Sequence, residues 1–164
     1  MRTKTDPGDP APPCPTPAQV RARALRYLAA REHTRHELQT KLARVCPDAA
    51  LIAQVVAELA ALGLQDDERA AHAVVRARAG RLGRARLRLE LQRRGVPPEL
   101  AQQALSQASD TEHQRAHQVW HKRFGVAAAD ATGHAKQWRF LTARGFAPEV
   151  VQAVLRAAAR EAAA

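Results

Sequence analysis

The chain has 164 residues, 46% hydrophobic but only 4% aromatic, and its 26 Lys+Arg against 16 Asp+Glu give a formal net charge of +10. Alanine supplies 37 of the apolar positions and leucine sixteen, against one isoleucine, which favours helix and excludes a sandwich, a barrel or a Rossmann sheet. A small protein this basic is expected to meet a polyanion. The chain carries no run of ~18–20 apolar residues that would span a bilayer and no signal-peptide stretch. With only Cys14 and Cys46 a disulfide scaffold is excluded, so a cytoplasmic protein with no membrane contact is expected.

Residues 1–17 hold six of the ten prolines and no apolar period, which predicts a disordered tail; a proline-rich ligand for a partner is the lesser reading. From Ala18 onward every segment reads as helix. The first runs from Ala18 to Glu32 with Leu25, Leu28 and Ala29 at helical spacing. Thr34 and Glu37 form a capping box that opens a second, with Leu38 and Leu42 inward. Pro47-Asp48 starts a third, burying Leu51, Ile52, Val55, Val56, Leu59 and Leu62, and Gly63 stops it. Asp66-Asp67-Glu68 opens a fourth; a helix N-terminus explains these acids better than a magnesium site. Gly80 and Gly83 punctuate, and a fifth helix over 84–94 ends at Gly95. Pro97-Pro98-Glu99 opens a sixth, Asp110 or Thr111 caps a seventh that ends at Phe124-Gly125, and two more follow, split by Gly145 and restarted at Pro148-Glu149.

The nine short helices repeat. Leu91, Arg94, Gly95, Pro98, Glu99, Gln102 and Leu105 match Leu141, Arg144, Gly145, Pro148, Glu149, Gln152 and Leu155 at an offset of fifty, with a fainter copy near 38–62 that lacks the glycine turn. Gly95 and Gly145 are expected in equivalent left-handed turns. The expected fold is all-α: three three-helix repeats over 18–64, 65–109 and 110–164, stacked in an elongated array with room for curvature.

Charge concentrates in one segment. Arg76, Arg78, Arg81, Arg84, Arg86, Arg88, Arg93 and Arg94 face a single acid, Glu90, so residues 76–94 carry +7. Arg84 and Arg88 lie one turn apart with Arg81 able to join them, while Leu87 and Leu91 point inward. Arginine forks suit phosphate or carboxylate, so these eight are the primary binding candidates; Lys122, Arg123, Lys136 and Arg139 are the secondary ones. A solvated arginine-rich face is the bland alternative. Trp120 and Trp138 could stack bases, but a third repeat so poor in large side chains needs them as core. His113, His117 and His121 fall one turn apart each, yet no third ligand joins them, and they read as a solvated stripe. No phosphate loop, nucleophile elbow or metal-ligand spacing is present, and Cys46 has no accompanying base, so neither enzymatic activity nor a cofactor is expected.

Three blocks together resemble the RecX family. The first is Ala24-Leu25, Leu28 and Arg31-Glu32-His33-Thr34-Arg35-His36-Glu37-Leu38 through Leu42. The second runs Leu62-Gly63-Leu64-Gln65-Asp66-Asp67-Glu68-Arg69, Val75-Arg76-Ala77-Arg78, Gly83, Glu90-Leu91 and Arg94-Gly95-Val96. The third is Val119-Trp120-His121-Lys122-Arg123-Phe124-Gly125, Lys136, Arg139-Phe140-Leu141 and Arg144-Gly145-Phe146. The resemblance covers about 18–157 and departs at Ala70, where the family usually carries an aromatic. It implies a non-catalytic regulator, expected as a monomer. Its partners would be the RecA recombinase and its filament, with single-stranded DNA as a further option, and its effect would be to restrain ATPase, strand exchange and co-protease activity. Two other readings stay open: a direct nucleic-acid-binding regulator built from helix-turn-helix-like modules, and an adaptor whose arginines only solubilise it.

Overall fold

The computed structural model describes residues 15–107 and 111–162. Regular structure among them is entirely helical: α1 (Pro17–Ala30), α2 (Arg35–Leu42), α3 (Ala49–Ala61), α4 (Asp67–Arg78), α5 (Arg84–Arg93), α6 (Pro98–Ser106), α7 (Glu112–Arg123), α8 (Ala131–Thr142) and α9 (Pro148–Ala162). No helix among the described residues is long and apolar enough to cross a membrane.

Side chains placed by the sequence start most of these helices. Thr34 accepts from the Glu37 amide while Glu37 reaches back to the cap, and Thr111 does the same with Gln114. Asp48, Asp66 and Asp130 cap α3, α4 and α8. Each such cap meets one or two of the four amide donors that a helix N-terminus leaves over. Helices α5 and α6 differ: their N-cap residues, Gly83 and Pro97, offer no side-chain bond.

The expected tail lies outside the described residues up to Cys14. Its last two positions do not belong to it: Thr16 forms a capping box with Gln19, and Pro17 fills the first turn of α1, where a missing amide hydrogen costs nothing. The expected cap at Asp110 also falls outside the described residues, and Thr111 does the capping. Helix α1 ends at Ala30 rather than Glu32, because Arg31 turns extended and its guanidinium grips the Glu37 carboxylate at 3.0 and 3.3 Å.

The chain forms two compact units, divided between Gln65 and Asp66. Gln65, expected in the second repeat, is buried in the first unit and donates to the His33 carbonyl. That unit closes α1–α3 around Val20, Ala24, Leu38, Leu42, Cys46, Ile52, Val55, Val56 and Leu59. One inward assignment fails here: Leu62 is 59% exposed, since the chain leaves the helix at Gly63 (φ 67°). Helix α1 buries Val20 and Ala24, while Leu25 faces out.

The second unit holds two further three-helix domains, each with its own core. The offset of fifty is visible in both. Leu91 and Leu141 are fully buried, as are, nearly so, Val96 and Phe146, Ala101 and Val151, Ala104 and Val154, and Leu105 and Leu155. Gly95 (φ 72°) and Gly145 (φ 82°) take the same left-handed turn, and the residue after each bonds back to the matched leucine carbonyl. Ala70, where the family resemblance breaks, is buried, next to Ala71 of the second core. The third core is heavier, with Trp120 and Phe146 at its centre and Phe124, Trp138 and Phe140 packed against it.

Candidate functional site

Not all of the clustered arginines are available. Glu90 sits between two of them, 3.6 Å from Arg78 and 2.9 Å from Arg94. Arg88 donates to Gln102 at 3.3 Å and lines a shallow groove with Gln92, Val96, Pro98 and Ala101. Arg76, Arg86 and Arg93 are exposed along α4 and α5, and Arg84 is half-buried.

Arg81 goes elsewhere. With Gly80 it forms one wall of a cleft of about 580 Å³ whose other walls are Gln118, Val119, Lys122 and Arg123 of α7 and Phe140 and Arg144 at the end of α8. Four cations line this cleft and no carboxylate does. Among the described residues none of the four lies within ion-pair distance of an acid. The floor is apolar: Val119 and Phe140 are half-buried against the third core, and Phe140 meets Phe124 edge to face at 5.0 Å. The Arg144 guanidinium stacks 3.5 Å above the Phe140 ring centre and donates to the Phe140 carbonyl at 3.1 Å. Burial, and then the nearby Arg123 charge, hold Arg144 below the ordinary arginine range. An arginine stays charged even so. The cleft therefore keeps repelling cations in place beside aromatic surface. An anion would relieve that repulsion, and a carboxylate or phosphate attached to an apolar group matches both walls and floor. The lining holds no hydroxyl, thiol, imidazole or acid that could act as nucleophile or base.

The chain matches the family models for the first, second and third three-helix domains of RecX over residues 21–59, 66–105 and 110–155. It is 46% identical to the "Regulatory protein RecX" of Leptothrix cholodnii over 142 residues, covering 87% of this chain and 90% of that one. It is 41% identical to the protein of the same name from Herminiimonas arsenicoxydans, covering 84% and 91%. The chain belongs to the RecX family. Its fold is also that of the crystal structure of RecX from Lactobacillus salivarius, with a TM-score of 0.73 at 20% identity over 87% of this chain and 96% of that one.

Within this RecX-family chain the cleft takes Arg81 from the second-domain match and the remaining cations from the third. The predicted face of Arg81, Arg84 and Arg88 is thus divided: Arg81 and Arg88 line separate grooves. Of the secondary candidates, Lys122 and Arg123 join the cleft, whereas Lys136 and Arg139 are exposed on α8 and do not line it. Trp120 is core, as expected. It is 2% exposed and donates to Gln137, which in turn donates to the Val126 carbonyl, so it presents no face to a base. Trp138 is half-buried beside His134. His113 and His121 are exposed, and among the described residues no three metal-ligating side chains gather. Arg144 and Phe140 were missed as site residues. The signal was present in the repeat: Arg144 matches Arg94, but the acid at position 90 becomes phenylalanine at position 140.

Proposed function

We propose that this chain regulates the RecA recombinase by binding RecA and its filament on single-stranded DNA, restraining ATP hydrolysis, strand exchange and co-protease activity. It acts as a cytoplasmic monomer, with repeats at 18–64, 65–109 and 110–164 on the sequence repeat. The observation that carries the reading is the cleft of four cations without acids in a chain of this family. Anionic groups of the filament, whether RecA carboxylates or DNA phosphates, are the ligands it suits. A direct nucleic-acid-binding regulator is the second reading, favoured by the exposed Arg76, Arg86 and Arg93 of α4 and α5.

The deciding measurement is RecA ATPase on single-stranded DNA, titrated with this protein at two salt concentrations beside a DNA-only binding control. Wild type should inhibit below one copy per RecA. Replacing Arg81, Lys122 and Arg123 with alanine should raise the half-inhibiting concentration more than replacing Arg81, Arg84 and Arg88. If the cleft meets phosphate, each lost contact should also flatten the salt dependence of DNA-only binding by about 0.7 log units per tenfold salt change. Unchanged inhibition in a folded cleft variant rejects the cleft. Sequence-selective duplex binding without any effect on RecA selects the second reading.

A further inference from the structure

Helix α5, which follows the Arg81 wall of the cleft, cannot finish its own N-terminus. Its cap residue is Gly83, which has no side chain to offer, yet the first three amides at this end are all bonded. Gly83 donates to the Arg144 carbonyl at 2.9 Å, Ala85 to the Gly145 carbonyl at 3.2 Å, and Arg84 to the Glu112 carboxylate at 2.8 Å. All three acceptors belong to the third domain. Two are carbonyls of the turn after α8, a class of acceptor that a helix C-terminus leaves over. The third is a carboxylate in the first turn of α7, so one acid faces the positive ends of two helices.

The fit leaves no room for a side chain at either glycine. A Cβ on Gly83 would collide with the Gly145 carbonyl group and the Phe146 nitrogen, and a Cβ on Gly145 would come within 2.6 Å of Arg86 Cβ and nitrogen. The two glycines differ in why they are needed. Gly145 has φ 82° and would be required by its own turn in any case. Gly83 has φ −76° and ψ 169°, open to any residue, so only the contact with the third domain demands glycine there. An ordinary serine or aspartate cap would supply one bond from within; here backbone docking supplies two and Glu112 a third.

We infer that the paired glycines Gly83 and Gly145, with Glu112, form a backbone latch through which the third domain caps α5 and so positions Arg81 opposite Lys122, Arg123 and Arg144. Gly83 is a positioning residue, and the functional part of the inference rests on the cleft being the site that meets the filament. Arg81 precedes the latch by two residues, and its loop is otherwise held by the bonds from the Arg81 and Leu82 amides to the Arg78 carbonyl. Opening the latch leaves α4 and both cores intact but frees that loop.

The test is Gly83→Ala in the full-length chain, read by amide hydrogen exchange and by RecA ATPase inhibition. Alanine is allowed at this φ and ψ, so the backbone is not strained and the cost falls on the docking and the helix cap. The amides at 81 to 85 should exchange about tenfold faster, as on loss of a cap, while those at Leu91, Trp120 and Leu141 keep their protection. The half-inhibiting concentration should rise about tenfold with the maximum inhibition unchanged, a separation that general destabilisation does not produce. Undisturbed exchange at 81 to 85 overturns the latch. Faster exchange with unchanged inhibition overturns its role in positioning the cleft. Should Gly83→Ala unfold the second unit, Glu112→Ala and Glu112→Gln decide. Faster exchange at Arg84 in the first, restored by the amide acceptor of the second, supports the latch; protection in both refutes it. A wild-type protein without effect on RecA would reject the proposed function, while the exchange arm would still decide the latch.

Discussion

The second and third domains place the same arginine on the same turn and put it to opposite use. Arg94 and Arg144 each precede a left-handed glycine, and each reaches back one helical turn. Arg94 finds the Glu90 carboxylate at 2.9 Å and is neutralised. Arg144 finds the Phe140 ring at 3.5 Å and keeps its charge. An aromatic face fixes a guanidinium in direction without cancelling it. One residue type at one repeat position thus separates a closed ion pair from a cation aimed into a cleft.

The comparison is sharpest where the two domains should not differ. Leu91 and Leu141 are matched and fully buried, so Leu91→Ala and Leu141→Ala should each cost about 2–5 kcal/mol in urea unfolding. A mutant in either domain that unfolds no more easily than wild type would break the repeat at its core. Next in size is the exchange of the differing residue. Phe140→Glu gives the third domain the second domain's ion pair. It should raise the half-inhibiting concentration of the RecA ATPase assay about tenfold, or 1.4 kcal/mol, by cancelling Arg144. The partner variant, Glu90→Gln, releases Arg78 and Arg94 outside the cleft, should leave inhibition unchanged, and should alter stability by only about 0.2–1 kcal/mol. Effects of equal size and opposite sign would show that total charge, and not the cleft, governs binding.

Much of this was legible in the sequence, for physical reasons that are local. Capping threonines, prolines at helix starts and glycines at helix ends act within one turn, so the helix order and the offset of fifty could be read directly. Leu62 was misread because the apolar period runs one residue past the point where the chain leaves the helix. Arg81, Lys122 and Arg123 announced themselves by charge. Arg144 did not, because whether an arginine is neutralised depends on the residue packed against it. Gly83 read as punctuation, and its need for glycine comes from a backbone brought to it from another domain. His33, Thr34 and Gln65 are polar residues buried in the first unit, which no polarity pattern would place inside.

The first unit extends the comparison, since it caps its helices from within. Thr34 is fully buried and holds both ends of its capping box, so Thr34→Ala should cost about 1–2 kcal/mol, seen as a loss of first-unit protection in hydrogen exchange. Thr16 is exposed at the start of the described chain, and a chain beginning at Ala18 should lose only about 0.5–1 kcal/mol relative to one beginning at Pro15. Equal melting of the two shortened chains would show that the Thr16 box contributes nothing.

The gentlest effect is a slope with pH, and it separates the first unit from the second. Lys41 donates to His33 Nε2 at 2.9 Å, and an ammonium cannot accept, so the ring must be neutral there with its Nδ1 hydrogen donated to the Arg31 carbonyl at 2.9 Å. Tyr27 lies beside the ring at 6.0 Å, and Lys41 stands 4.7 Å over the Tyr27 ring centre. Burial, with the Arg31 and Lys41 charges, lowers the His33 pKa below its usual value, against the raising influence of the Arg31 carbonyl and the Glu37 carboxylate. The folded protein therefore holds this ring neutral in a window, below the ordinary value of about 6.5, where the unfolded chain has already taken up a proton. Stability in that window must fall as pH falls, at no more than one proton's slope, about 1.4 kcal/mol per pH unit. His33→Asn removes the titrating group and should flatten that part of the first unit's stability profile whatever it does to the absolute value. Following the His33 ring by NMR gives the direct check: titration at or above the value of a free histidine would mean that the Lys41 contact does not hold in solution.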